Sequence, residues 1–144
     1  MKSLFAVLIL VTFFALLETP VMAQVNQGNI FVVTNFERAF PQNGSMRELD
    51  SLTTVFAENC LAKNEYVVSY KIIRHFWGKD NRDFLQIVEV KSWEDVEKAN
   101  SRINELFREA WTTPEARKKY NDANNKYFTG KHSDEIYSEV VAPK

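Results

Sequence analysis

Few side chains in this sequence are suited to acid–base chemistry near neutral pH. The two histidines, His75 and His132, are the first of them. His75 lies near the end of the run Tyr66–Trp77 (YVVSYKIIRHFW), two residues before Trp77. His132 follows Gly130-Lys131 and precedes Asp134-Glu135. Asn35 stands near the end of another apolar stretch, NIFVVTNF, which begins at Asn29. His75, His132, Trp77 and Asn35 are therefore the candidate catalytic groups. Positioned acid–base groups at the rim of an apolar pocket would act mainly on a transition state. Phe31, Tyr66, Phe84 and Tyr70 are the aromatics expected to line such a pocket and bind a ligand.

Other chemistries find less support. His132-x-Asp134-Glu135 contains metal-ligand types, but a zinc site needs three or four ligands in a recognisable arrangement, so no metal is expected. There is no Gly-rich phosphate loop, no nucleophile-elbow sequence and no paired cysteines, and no cofactor is expected. Cys60, the single cysteine, falls on an apolar stripe and reads as a small buried hydrophobe. Stability must then come from packing rather than disulfides. The Arg117-Lys118-Lys119 cluster reads as a solvated helix face, and Tyr120, Tyr127 and Tyr137 as packing residues with one hydrogen-bonded hydroxyl each. Asn43-Gly44-Ser45 fits a glycosylation acceptor, a triplet common by chance.

The elements that would carry these residues follow from periodicity. Asn29–Phe36 is rich in β-branched and aromatic residues and predicts a strand. Ser45-Met46-Arg47-Glu48 is a capping-box signature, in which two side chains satisfy free N–H groups at a helix start. Leu49, Leu52, Phe56 and Cys60 then share one helical face, predicting a helix over 46–63. Tyr66–Trp77 and Arg82–Val90 predict a hairpin about the loop Gly78-Lys79-Asp80-Asn81. Ser92 caps a helix with the stripe Val96, Ala99, Ile103, Leu106 and Ala110. Thr113-Pro114-Glu115 starts another, because proline is tolerated where the missing N–H has no partner anyway. Its stripe is Ala116, Tyr120, Ala123 and Tyr127, and Gly130 suits the left-handed conformation that ends many helices. Ile136–Val141 is the last strand, with a start as early as His132. All four glycines, at 28, 44, 78 and 130, fall between these elements.

Ahead of them, Lys2, the apolar run Leu4–Leu17 and the small-residue site Val21-Met22-Ala23 have the order of a secretory signal. The run of 14 residues is shorter than the ~20 a membrane span needs. Residues 1–23 are expected to be a signal peptide, and 24–144 a single exported domain, periplasmic or extracellular, with its core at about 29–141. The 121 remaining residues suffice for one hydrophobic core. Their net charge of −1 argues against nucleic acid as the main partner. No membrane association is expected once the signal is removed.

The order β-α-β-β-α-α-β is that of an α+β, ferredoxin-like split βαβ fold with an extra helix before the last strand. Right-handed crossovers give a four-stranded antiparallel sheet in order 4-1-3-2 with the helices on one face. In that topology the end of the second strand and the start of the fourth lie at one end of the sheet, which would gather His75, Trp77, His132 and Asn35. A sheet covered on one side should alternate apolar and polar residues. Here Ile30, Val32 and Phe36 oppose Phe31 and Val33, Phe84, Val88 and Val90 oppose Leu85 and Ile87, and Tyr70 and Ile72 oppose Val67 and Ile73. Two apolar faces with helices for one predict a homodimer with sheets packed face to face.

Such a dimer resembles the dimeric α/β-barrel superfamily, which includes antibiotic-biosynthesis-type monooxygenases, stress-responsive barrel proteins and small heme-degrading enzymes. The resemblance covers about residues 29–141 and is carried by element order and two-faced strands. Tyr127–Tyr137 (YFTGKHSDEIY) also looks like the C-terminal part of uncharacterised exported bacterial proteins. The heme-degrading members use an Asn on the first strand, which Asn35 matches, and a His on the helix after the third, where Trp93–Trp111 has none. The resemblance implies an exported protein that binds a small apolar or aromatic molecule. Its alternatives are a cofactor-independent monooxygenase-like enzyme, and a structural or protein-interaction module that uses its sheet edge.

Overall fold

The computed structural model describes residues 28–78 and 81–141; the expected signal peptide lies outside them, as do two residues of the predicted hairpin loop. The strands are β1 (Ile30–Arg38), β2 (Val67–Arg74), β3 (Asp83–Val90) and β4 (Phe128–Ser138). The helices are α1 (Met46–Phe56), α2 (Trp93–Ala110) and α3 (Pro114–Asn125), and a π-helical turn, Ala57–Leu61, follows α1. The strands form one antiparallel sheet in order β2-β3-β1-β4, which is 4-1-3-2 read from the other edge. The chain is thus a ferredoxin-like α+β fold with one added helix.

Pairing register decides which side chains share a face, because directly opposed residues point the same way. Ile30 faces Val90, Val32 faces Val88 and Phe36 faces Phe84, and these pairs look toward the helices. Two linked core clusters result. One holds Ile30, Ala57, Leu61, Val88, Val90 and Ala99, and the other Leu49, Phe84 and Tyr127. The opposite face carries Phe31, Val33, Leu85, Ile87 and Ile73, with no helix over it. A register shift between Val67 and Ser69 turns Val67 into the helix-side cluster together with Tyr70, rather than to the side opposite Tyr70.

Local chemistry explains where the elements begin and end. Ser45 Oγ accepts the Glu48 N–H at 3.1 Å, one half of the capping box. The other half is replaced. The Ser45 N–H donates to Tyr127 Oη (2.9 Å), and that hydroxyl donates to Glu48 Oε2 (2.6 Å), so a tyrosine from the far end of the chain closes the helix start. The Lys126 ammonium, and then the Tyr127 hydroxyl, hold the Glu48 carboxyl below the usual carboxylate range. Ser92 stands at the N-cap of α2, but its hydroxyl donates to Asp95 Oδ2 instead of accepting a helix N–H. Thr113 Oγ1 accepts from Ala116 N at 3.1 Å and caps α3.

Four boundaries differ from expectation. The predicted 46–63 helix widens after Phe56 into the π turn, closed by Ala62 N–H to Ala57 O at 2.8 Å. The wider turn buries Ala57, Cys60 and Leu61 together. β1 continues to Arg38, which is buried, pairs with Phe128 and lies over the Phe40 ring at 5.2 Å. β2 stops at Arg74, and His75 N–H to Asp83 O closes the hairpin ladder at 3.0 Å. β4 starts at Phe128, so Gly130, at φ +86°, ends no helix but sits inside the strand, where a bulge opposes β1 between Phe36 and Arg38.

Candidate functional site

A cavity of about 310 Å3 opens between the helix-facing side of the sheet and the helices. Phe36, Ile72, Phe84 and Phe128 form its sheet wall. Thr53 and Phe56 of α1, Phe107 of α2, and Tyr120, Asn121 and Asn124 of α3 form the rest. The wall is built on aromatic contacts. Phe128 lies 5.5 Å from Phe36 and 5.3 Å from Phe84, ring centre to ring centre. Tyr120 lies 5.6 Å from Phe107 and 4.3 Å from Trp111. Its hydroxyl donates to Leu52 O at 3.3 Å, and burial pushes its pKa well above the usual tyrosine value, so it stays a neutral donor.

The polar groups of the cavity are mainly amides, from Gln86, Asn121, Asn124 and Asn125, with His132 and Lys131 at the β4 end. His132 is half exposed, 5.9 Å from the Phe36 ring, with Nε2 at 3.6 Å from Asp134 Oδ2. No carboxylate lines the cavity among the described residues. The arrangement suits a molecule with an apolar or aromatic body and a hydrogen-bonding edge, and it offers nothing to balance a cation.

The structure brings some of the anticipated residues together and separates others. Phe84 and His132 line the cavity. Asn35 and His132 meet at a second, polar groove with Glu37, Asp83 and Ser133, but Asn35 points to the helix-free face, where its Nδ2 donates to Asp83 Oδ1 at 3.2 Å. Phe31 lies on that same face and reaches no part of the cavity, because it alternates with Ile30 and Val32. Tyr66 packs on the first core cluster, with Lys98 5.8 Å from its ring centre. Tyr70 lines a neighbouring groove between α1 and β2. His75 and Trp77 come after the last residue of β2; Trp77 is 90% exposed and Phe76 fully so. The His75 ring lies against Gly78, where an added Cβ would sit 2.9 Å from it. The expected single ring of His75, Trp77, His132 and Asn35 is therefore divided: the hairpin ladder closes at the His75 N–H, with Trp77 beyond it, and odd and even β1 residues take opposite faces.

Asn121, Asn124, Gln86 and Phe107 were not anticipated. Asn124 lies four residues after Tyr120, on the same helical face and next to Ala123 of the predicted stripe, and an amide at that spacing was the available signal. Among the described residues no group of three metal-ligating side chains comes together, and no helix is long and apolar enough to cross a membrane.

No protein-family model matches the chain, and no curated protein matches it significantly in sequence. Solved structures do resemble it. One, from Caulobacter crescentus CB15 and provisionally described as an antibiotic biosynthesis monooxygenase, superposes with TM-score 0.51 and 15% identity over 80% of this chain and 92% of its own. Another, from Bordetella bronchiseptica and described in the same terms, gives TM-score 0.51 and 10% identity over 80% of this chain and 100% of its own. What the chain shares with them is the ferredoxin-like fold.

Proposed function

We propose that this protein is an exported small-molecule-binding protein whose ligand, apolar or aromatic, occupies the cavity between sheet and helices. The observation that carries this reading is the cavity itself: an aromatic-walled space large enough for a small ring system, with amides and one histidine at its edge. Burying ~200 Å2 of an aromatic ligand would contribute about 5 kcal/mol before the cost of immobilising it. The test is native mass spectrometry of protein purified from its own host, repeated on Thr53→Trp, which puts an indole into the cavity. A small molecule retained by the native protein and lost from the variant is the expected result. Two empty proteins, with no binding of naphthol as a probe, would refute it.

The second reading is cofactor-independent oxygenation, favoured by the placement of His132 at the mouth of an apolar space. His132→Ala separates the two. A binder keeps its ligand with modest loss, whereas an enzyme loses turnover by orders of magnitude while still binding.

The homodimer belongs to the same proposal. The helix-free face measures roughly 500 Å2 in projection for four strands of about eight residues. Its centre is Phe31, Val33, Leu85 and Ile87, and Lys71, Glu89, Ser133 and Glu135 surround it. An apolar centre with a polar rim is the anatomy of a protein interface. Ile87→Lys should yield a species of half the mass in light scattering, and a native protein already monomeric at micromolar concentration would overturn the face-to-face dimer.

A further inference from the structure

Strand β4 is an outer strand of the sheet, and from Thr129 to Ser138 every residue is exposed. An open edge of this length is a template for another strand unless something blocks it. Charge usually does the blocking, and β4 carries four ionisable residues in Lys131-His132-Ser133-Asp134-Glu135. Their order does something else. The basic residues precede Ser133 and the acidic ones follow it, so the segment is the charge complement of itself read backwards.

We propose that the β4 edge is a self-recognition site, at which two copies of this chain pair β4 to β4, antiparallel, about a two-fold axis at Ser133. In that register Lys131 of each copy faces the other's Glu135, and His132 faces the other's Asp134. Directly opposed residues share a face, and the sequence parity agrees: one set of pairs lies on the helix side of the sheet and the other on the helix-free side. Any other partner meets a mixed-sign edge, whereas a second copy meets four complementary pairs.

Two features of the edge fit this occupant. Just past the end of the ladder, Gly130 comes near Ile136 of the second copy, and a Cβ added at Gly130 would meet nothing within 4 Å, so there is room for that side chain. Ile136 is 44% exposed in the single chain. Lys131 is loosely held, with Nζ 3.7 Å from Glu37 Oε2 and its side chain 81% exposed, whereas Asp134 Oδ1 accepts from Thr34 Oγ1 at 2.7 Å and leaves Oδ2 toward the histidine. The bulge beyond His132 confines the regular ladder to residues 132–134, with Lys131 and Glu135 at its ends, so the contact is small. It uses the sheet edge, whereas the face-to-face dimer uses the helix-free face, at whose rim Ser133 and Glu135 also lie, and its axis is perpendicular to the sheet rather than parallel to it.

Register is tested by cross-linking. Opposed Cα atoms in an antiparallel pair lie ~4.5–5.5 Å apart, within disulfide reach, whereas face-packed sheets lie ~10 Å apart and are outside it. Ser133→Cys, made in the Ile87→Lys background to remove the face contact, should oxidise to a covalent dimer; Thr129→Cys, about 27 Å from its own copy in this register, should not. Charge is tested by reversal. Lys131→Glu and Glu135→Lys should each weaken edge association by about tenfold in sedimentation velocity, and an equimolar mixture of the two should restore it as a mixed species. Ser133→Cys remaining monomeric, or a mixture that associates no better than either variant alone, would overturn the proposal. The Ser133→Cys cross-link does not depend on the ligand cavity, which Ser133 does not line, and the Ile87→Lys background takes the face-to-face dimer out of the comparison.

Discussion

Phe128 gives the sharpest test of how this fold is held together. Periodicity alone places residue 128 in a connection between α3 and a strand beginning at His132 or later, where a side-chain change would cost little. The structure makes it the first residue of β4, opposite Arg38, with its ring between Phe36 and Phe84. Phe128→Leu keeps an apolar side chain of similar reach and removes two aromatic contacts. Such pairs contribute ~0.5–1.5 kcal/mol each beyond their buried area, and Phe128 is only partly buried, so a loss of about 2 kcal/mol is expected. With a urea slope of ~1.5 kcal/mol/M, the unfolding midpoint falls by about 1 M with the slope unchanged. The assay is equilibrium urea unfolding at one fixed protein concentration, since association would add its own stabilisation. A double-mutant cycle with Phe84→Leu should return a coupling of about 1 kcal/mol. A midpoint shift below about 0.2 M, with no coupling, would show that Phe128 does not pack in this wall.

Three further outcomes are expected. Burial, opposed weakly by Lys63, pushes the Cys60 thiol up from 9.0 to about 11, so thiol reagents should label it at pH 8 only as the chain opens; because the raised value belongs to the folded state, its contribution to stability is intact below pH 9 and is lost between about 9 and 11, as pH-dependent denaturation would show. Asn64→Ala removes a buried amide that donates to Ala99 O (2.9 Å) and accepts from Tyr66 N–H (3.1 Å), and should lower stability by about 2 kcal/mol, near 8 °C in a thermal melt; an unchanged melt would mean water replaces both bonds. Gly44→Ala puts a Cβ 2.6 Å from Pro41 Cγ and 2.8 Å from Tyr127 Oη, so it should displace the tyrosine and strip the Ser45 amide of hydrogen-exchange protection, and retained protection there would contradict the relay.

Much of the architecture was legible because it depends on patterns a few residues long. Seven elements in the right order follow from apolar periodicity, Pro114 and the polar breaks, and strand order then follows from the handedness of crossovers. The two-faced character of β1 and β3 was visible as apolar residues at both parities, and Cys60 read correctly as a core residue because it continues a helical stripe. The departures depend on contacts that helical and strand periodicity do not register. Glu48 has the spacing of a capping box, yet its carboxylate goes to Lys126 and Tyr127, some 80 residues on. Arg117 belongs to a cluster that reads as solvated, but its guanidinium donates to Trp111 O and Thr112 O at the end of α2.

The candidate site shows the same division. Residue types suited to a pocket can be picked from the sequence, and Phe84 and His132 do reach the cavity. Asn35 and Phe31 share β1 with Phe36, and alternation along one strand sends them to the other face. His75 and Trp77 were expected to extend β2, but the hairpin ladder closes at His75 N–H, so they fall outside it. Composition and periodicity by themselves determined the element order, the sheet topology and the surplus of apolar surface, since these follow from local propensity and chain handedness. Tertiary structure alone decided which aromatics enclose a space and which edge stays open, since both depend on the register of strands that only packing of the whole chain brings together.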